Sequence, residues 1–418
     1  MLRIAMLSYH TCPLATLGGK DTGGMNVYVR ELTRQLGRMG VHVDVFTRSQ
    51  DEHVPHVLHD LGYGNRVVHV EAGPEVPLAK RELAEYIPQF VEGIQQFVAE
   101  KGLQYDLIHS HYWMSGLAAE ALSDAWGGLP IVHMFHTLGE MKNRIARSEE
   151  EREGPYRING EKQVLARADR IIAATLAEQT QLQFLYKANR RKITIIPPGV
   201  DTGHFYSIPM DEARQYLGVD PDNKLVLFVG RIEPLKGLDT LIKAIACHRT
   251  ASLGQVTLAV IGGDPCASPQ EMSAEMVRIQ KLCDDLCMGR MVVFLGKQAQ
   301  DTLPYYYSAA DVLVMPSHYE SFGMVALEAM ACGTPVIASQ VGGLAFLVKD
   351  GETGYHVPDQ SPEALCEKLL LLLSDPHQRE TMGLRAAEYA KDYAWANIAA
   401  QIIEVYRSLV GEREGVIV

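Results

Sequence analysis

Short runs of β-branched and aliphatic residues alternate along the chain with longer stretches whose apolar positions recur every three or four residues. That is the pattern of a parallel sheet wound by helices. In the first half the runs predict strands at Arg3–Ser8, Val41–Thr47, Arg66–Val70, Asp106–His109, Ile131–Met134, Arg170–Ala174 and Ile193–Ile196. Met25–Met39 predicts a helix, with Met25, Tyr28, Val29, Leu32 and Leu36 along one face. A second set of strands is expected at Leu225–Val229, Thr257–Ile261, Met291–Leu295, Asp311–Met315 and Pro335–Ala338. Between the sets, Ile196-Pro197-Pro198-Gly199-Val200-Asp201 can continue neither a strand nor a helix and reads as a linker. The expectation is an α/β protein of two Rossmann-like domains, 1–198 and 199–395, with a deep cleft between them. A last helix, 396–418, follows a bend at Tyr393–Trp395 and crosses back to the first domain. No fixed-period repeat interrupts this plan.

Composition narrows the function classes. The 418 residues are 47% hydrophobic and 22% charged, with a formal net charge of −12, an ordinary globular composition. The acidic balance argues against nucleic acid as a partner, since duplex binding needs a basic face. No apolar run approaches the roughly 18 residues of a membrane span; Leu369–Leu373 is among the longest. The opening Met-Leu-Arg-Ile-Ala-Met-Leu-Ser reads as a first strand rather than a secretion signal. Seven cysteines without framework spacing fit reduced thiols, so a cytoplasmic location is expected.

Three stretches carry candidate chemistry. Gly18-Gly19-Lys20-Asp21-Thr22-Gly23-Gly24 lies between the first strand and first helix, where paired glycines admit a ligand to backbone N–H groups and a helix N-terminus favours an anion. It is neither a dinucleotide fingerprint nor a Walker motif, and a flexible turn is the plain alternative. Gly230-Arg231-Ile232-Glu233-Pro234-Leu235-Lys236-Gly237 ends the first strand of the second half, at the sheet edge where doubly wound folds bind ligands. Arg231 and Lys236 flank a proline turn there and can converge on a diphosphate, unless they are a solvated basic loop. In His318-Tyr319-Glu320-Ser321-Phe322-Gly323, Ser321 is expected to cap a helix running to Cys332, with Gly333 and Pro335 beyond. Glu320 then lies outside that helix and Glu328 two turns inside it, placing carboxylates for sugar hydroxyls beside N–H groups for a phosphate. A capping motif with a Glu at the core edge is the alternative. Cys283-x3-Cys287 on one helix reads as idle thiols, Asp220-Pro221-Asp222 as a turn, and His109, His111 and His133 as structural. Glu149–Glu151 is expected to be a solvated face.

Gly230-Arg231…Lys236-Gly237 and Glu320-Ser321-Phe322-Gly323…Glu328, followed by Gly-Thr-Pro-Val-Ile, resemble the retaining nucleotide-sugar glycosyltransferases of the GT-B fold, family four. The resemblance spans nearly the whole chain. It implies that Arg231 and Lys236 hold the donor diphosphate and that Glu320 binds donor-sugar hydroxyls. Glu328 would take the ribose, while Ser321, Phe322 and Gly323 offer backbone contacts. Gly23 and Gly24 would approach the diphosphate from the first domain, and His136 would stand near the anomeric carbon. No metal ligand set and no obligatory cofactor is implied, with Mg2+ at most stimulatory.

Gly24-Met25-Asn26-Val27-Tyr28-Val29, Asp106-Leu107-Ile108-His109-Ser110-His111-Tyr112-Trp113 and His136-Thr137-Leu138-Gly139-Glu140-Met141-Lys142-Asn143 are similar to two subgroups of that family. These are the sucrose-phosphate synthases and the inositol-phosphate N-acetylglucosaminyltransferases of mycothiol synthesis, both acting on a phosphorylated small molecule. By that resemblance Asn26, Lys80, Tyr112, Thr137 and Arg157 surround the acceptor phosphate, a set of two cations and three neutral groups suited to a dianion. Gly139 in the His-Thr-Leu-Gly-x-x-Lys stretch tilts the expectation towards glucosyl transfer from UDP-glucose, or another nucleoside diphosphate glucose, to fructose 6-phosphate. The Gly-Gly-Met-Asn-Val-Tyr and His-Ser-His-Tyr-Trp stretches lean instead to inositol phosphate with UDP-N-acetylglucosamine. A non-catalytic sugar-nucleotide-binding protein and a phosphorylase are further readings from other classes.

Overall fold

A computed structural model describes residues 2–16, 22–146, 149–248, 255–264 and 272–416. Gly18–Asp21 of the glycine-rich stretch, and Cys266, lie outside the described residues. The chain divides into two compact units, one formed by 1–198 with 395–418 and the other by 199–394.

Among the described residues the first unit holds an eight-stranded sheet: β1 (Arg3–Leu7), β2 (His42–Arg48), β3 (Val57–Leu58), β4 (Arg66–Val70), β5 (Leu107–His111), β6 (Ile131–Met134), β7 (Arg170–Ala173) and β8 (Ile193–Ile195). Their spatial order is β3-β4-β2-β1-β5-β6-β7-β8, parallel except for the short β3 beside β4. The second unit holds six parallel strands: β9 (Lys224–Val229), β10 (Val256–Ile261), β11 (Val292–Gly296), β12 (Val312–Met315), β13 (Val336–Ser339) and β14 (Gly354–Val357). Their order is β11-β10-β9-β12-β13-β14. Both are Rossmann-like sheets that reverse direction once, between β1 and β5 in the first unit and between β9 and β12 in the second, and ligands of such sheets bind at these switch points.

β5 is longer at its carboxyl end than its hydrophobicity suggests. His109, Ser110 and His111 are buried in the strand, where side-chain partners replace apolar packing. His109 Nδ1 lies 2.6 Å from the hydroxyl of Tyr406. Ser110 Oγ meets His133 Nδ1 at 2.8 Å, and His111 Nδ1 meets His136 Nε2 at 3.0 Å. Tyr406 belongs to the last helix, Trp395–Val416, which lays Ile398, Ala399 and Ile402 into the first unit and sets Trp395 edge-on to Tyr28. β3 and β14 escape sequence reading because both are short edge strands. β14 also begins at Gly354, where a Cβ would stand 2.0 Å from the Val336 carbonyl oxygen.

In the second unit Asp311, 2% exposed, accepts hydrogen bonds from the backbone N–H of Leu225 and from the guanidinium groups of Arg214 and Arg379. It pins the start of β12 to the start of β9 and so fixes both strands whose loops carry candidate chemistry. One expected element is corrected here. The helix foreseen from Ser321 to Cys332 spans Met324–Ala331, and its N-cap is Gly323 at φ 106°, so Ser321 caps nothing. The reason is tertiary: the Gly343 N–H donates to the Glu320 carbonyl at 2.8 Å. The bare Gly343 Cα packs so near Phe322 that a Cβ would lie 2.4 Å from its Cα, which holds the segment out of helical geometry. A second correction concerns Cys287, which lies beyond the end of the helix Ala274–Asp285 at φ 54°, so the two thiols do not share that helix.

Two expected outcomes follow from these packings. Asp311→Ala leaves two buried guanidinium groups uncompensated and should cost about 3–5 kcal/mol of stability, read as a drop in the denaturant midpoint. Burial pushes His109 and His136 down to about 3, and His111 and His133 well below their ordinary value, so the folded chain keeps all four neutral. The unfolded chain binds those protons below pH ~6.5, so each histidine should make stability fall with falling pH, by roughly 1.4 kcal/mol per pH unit. His133→Asn should reduce that slope between pH 4 and 6 by about one proton's worth; an unchanged slope would mean that His133 is charged in the fold.

Candidate active site

At the β9–β12 switch point the two loops are tied together by backbone. The His318 N–H donates to the Leu235 carbonyl at 2.9 Å. Gly237, at φ 65°, lies where a Cβ would stand 2.0 Å from the Pro316 carbonyl oxygen, so only glycine allows this approach. The contact places Lys236 beside Glu320, and the ammonium meets Oε2 at 2.6 Å with both side chains about four-fifths buried. Arg231, on the same loop, is turned to Glu233 at 2.7 Å in a solvent-exposed pair. Lys236 and Glu320 are therefore brought together, whereas Arg231 forms its ion pair along its own loop. Glu328 is buried on the helix Met324–Ala331 and accepts a 2.8 Å bond from the hydroxyl of Tyr307. Ser321 and Phe322 form the stretch leading to Gly323, with the free N–H groups of the helix's first turn beyond. Sequence reasoning missed His318 as a structural lever. Its Nδ1 lies 2.6 Å from Asp359, a partner 41 positions away in the chain. The Val341-Gly342-Gly343 doublet was the available signal for the wrap around Glu320.

At the β1–β5 switch point, the loop after β1 is closed by Asn26. Its amide donates to Thr11 Oγ1 and to the Cys12 carbonyl, both at 2.7 Å, and its Oδ1 accepts from the Gly23 N–H at 2.9 Å. Asn26 thus holds both ends of the glycine-rich connection. Gly23 is extended, with open space where a Cβ would point, and Gly24 begins the helix Gly24–Arg38. Tyr112 follows β5 at φ 71°, packed against His10 on one side. The Arg157 guanidinium lies 5.1 Å and the Lys80 ammonium 5.8 Å from the centre of its ring.

Arg157 is 1% exposed, and its fork is fully directed. Nε bonds Glu161 at 2.9 Å, NH1 bonds Glu153 at 2.6 Å, and NH2 bonds both the carbonyl and Oγ1 of Thr137. Burial alone would lower the Arg157 pKa, but Tyr112 and the two carboxylates raise it beyond its ordinary value. Glu161, fully buried, also accepts from the Gly139 N–H and the hydroxyl of Tyr186. Lys80, Tyr112, Thr137 and Arg157 therefore form one cluster, and Asn26 reaches it through the His10–Cys12 loop. The structure adds Glu153, Glu161 and Lys142. The four-residue spacing of Glu153, Arg157 and Glu161 was the legible sign of two of them.

Gly139 is hemmed in by the residues that flank Arg157. A Cβ there would stand 2.7 Å from Ile158 Cδ1, 3.1 Å from Glu161 Oε2 and 3.2 Å from Arg157 Nε. The glycine therefore seats the Arg157–Glu161 pair. His136 follows β6 at φ 61°, an unusual conformation for a non-glycine residue. It is held by His111 and by the edge of Tyr28, and burial keeps its ring neutral.

Residues 22–204 match the model of glycosyltransferase family 4, and residues 209–389 match that of the glycosyl transferases group 1. A D-inositol 3-phosphate glycosyltransferase from Kineococcus radiotolerans is 43% identical over 98% of this chain and 96% of its own length. The solved sucrose-phosphate synthase of Thermosynechococcus elongatus is 37% identical, with a TM-score of 0.89 over 99% of this chain and 100% of the other. Anabaena HepE, 22% identical with a TM-score of 0.75 over 98% of this chain and 100% of the other, shares the fold. No helix among the described residues is long and apolar enough to cross a membrane. With its two Rossmann-like sheets and relatives aligned end to end, the chain belongs to the GT-B glycosyltransferases of family 4.

Proposed function

We propose that this glycosyltransferase moves a hexosyl group, with retention, from a nucleoside diphosphate sugar to a hydroxyl of a phosphorylated polyhydroxy acceptor. The observation that carries the acceptor class is the cluster at the β1–β5 switch point. Lys80 and Arg157 lie against Tyr112, Arg157 also bonds Thr137, and Lys142 joins Arg157 through Glu153. Burying a guanidinium this completely is costly unless it is paired and oriented, and an oriented fork beside two ammonium groups suits a phosphate monoester. Inositol phosphate is the first acceptor to test, because the K. radiotolerans relative named for it aligns over the whole chain. Fructose 6-phosphate is the second, supported by the likeness to the T. elongatus synthase and by the His136–Lys142 stretch. Gly139 within that stretch faces Arg157 and Ile158.

The donor reading rests on the second unit. Lys236 and Arg231 supply positive charge for a diphosphate, and the N-terminus of the helix Met324–Ala331 adds oriented N–H groups. Glu320 and Glu328 offer oxygens to sugar and ribose hydroxyls. As the bond from the anomeric carbon to the phosphate oxygen breaks, negative charge grows on the leaving diphosphate, and these groups stabilise it. The acceptor hydroxyl attacks from the same face and its proton passes to the departing phosphate oxygen. Glu320 is ion-paired to Lys236, and in this reading it accepts from donor-sugar hydroxyls rather than attacking the anomeric carbon. The neutral His136 presents backbone or ring polarity rather than charge. No step requires a metal.

The test is a matrix of UDP-glucose, ADP-glucose, GDP-glucose and UDP-N-acetylglucosamine against inositol 1-phosphate, D-inositol 3-phosphate, fructose 6-phosphate and the unphosphorylated acceptors. Product anomers are read by NMR. A phosphorylated acceptor should be preferred by tens of fold and the product should keep the donor's anomeric configuration. Equal turnover of the free polyol, or an inverted product, would overturn the reading. Lys236→Ala should lower kcat by about 10²–10³-fold, the loss typical of one charge-stabilising donor, with acceptor KM little changed. Lys80→Ala should raise the KM of the phosphorylated acceptor tenfold or more and leave donor binding intact.

A further inference from the structure

Two carboxylates grip Arg157, and they are not equivalent. Glu161 is fully buried, and its partners Arg157 Nε, the Gly139 N–H and the Tyr186 hydroxyl leave it enclosed. The Glu153 side chain is 21% exposed, and its Oε1 bridges Arg157 NH1 at 2.6 Å and Lys142 Nζ at 2.9 Å. Its backbone is clamped at both faces by one residue: the Glu153 N–H donates to Asn143 Oδ1 at 2.7 Å, and Asn143 Nδ2 donates to the Glu153 carbonyl at 3.1 Å. Asn143 lies on the helix Gly139–Ile145, which also carries Lys142. The carboxylate is therefore delivered to the cations by a fixed backbone rather than by a wandering side chain. Burial pushes the Glu153 pKa upward, but Arg157 and Lys142 outweigh it and hold the group below the usual carboxylate range.

Charge completes the argument. Lys142 and Arg157 are bonded to Glu153 and Arg157 to Glu161, and Lys80 lies against the Tyr112 ring that Arg157 also faces, three cations with two anions in this cluster. With Glu153 withdrawn, the remaining four groups carry an excess of two positive charges, the complement of a phosphate dianion. The carboxylate also uses two donors, Arg157 NH1 and Lys142 Nζ, whereas Glu161 takes Arg157 Nε.

We infer that Glu153 is a built-in competitor for the acceptor phosphate, a tethered carboxylate that fills the cationic pocket and that a dianion must displace from Arg157 and Lys142. Its function is selectivity. A singly charged or neutral acceptor cannot outbid an anion already held on a clamped backbone, whereas a phosphate dianion brings the second charge that makes exchange favourable. The inference rests on the phosphate-acceptor reading above.

Glu153→Gln keeps the length and the hydrogen-bond acceptor for Arg157 NH1 and removes only the charge. Calorimetric titration of the full chain with inorganic phosphate at pH 8 should show affinity rising on the order of tenfold in this variant. The KM of the phosphorylated acceptor should fall in parallel, and that of its singly charged methyl phosphodiester analogue, which no longer has to displace an anion, should fall by at least as much. Glu153→Asp, which keeps the charge, should stay within a few-fold of wild type, with Tm measured for both variants. If wild type binds phosphate and Glu153→Gln binds it equally or more weakly, Glu153 only props Arg157 and the inference is wrong. If neither protein binds phosphate and Lys80→Ala leaves acceptor KM untouched, the phosphate-acceptor reading fails and takes this inference with it.

Discussion

A parallel strand must be followed by a crossover, and a sheet whose crossovers run first one way and then the other leaves one gap where neighbouring connections diverge. Both candidate sites of this chain depend on that constraint. In the first unit the gap lies between β1 and β5, and it receives the loop held by Asn26 together with Tyr112. In the second it lies between β9 and β12, and it receives the Lys236 loop and the Glu320 loop. The side chains differ, one set built around a buried guanidinium and the other around a lysine–carboxylate pair, yet the same topological opening presents both.

The loops at these openings are positioned by absent atoms as much as by present ones. Gly237 against Pro316 and Gly343 against Phe322 bring backbone to within distances that any Cβ would forbid. Packing this tight removes the freedom that loops ordinarily keep, so Glu320 is held on a strut rather than a tether. In the first unit the same role falls to Gly139, whose bare Cα lets Arg157 and Glu161 sit side by side.

What the sequence reveals follows from how local each determinant is. β4 and β6 are readable to the residue, because Arg66–Val70 and Ile131–Met134 are short apolar runs bounded by turn formers. The strand expected at Asp106–His109 stops short of Ser110 and His111 because they look polar; their partners His133 and His136 lie more than twenty residues on. Ser321 has the chemistry of a cap, and only the distant Gly343 prevents it from acting as one. Likewise Lys236 and Glu320 are visible as chemistry, but their pairing is a property of the sheet order. Glu153 is hidden for a different reason: an acidic residue before a helix ordinarily signals a helix start, and nothing local says that it faces two cations.

The polypeptide passes from the first unit to the second after Pro198 and returns at Trp395, and near these passages the Val200 N–H is bonded to the Tyr393 carbonyl. The return supplies Tyr406 to His109 and buries Ile398 and Ile402 in the first unit. On the ribosome, then, the strands of the first unit are all synthesised by residue 195, but their cover arrives only after some two hundred further residues. The second unit can close on itself while the first still waits with a buried-type histidine strand exposed. The order of completion is thus the reverse of the order of synthesis, and the last helix acts as the latch that ends folding of the part made first.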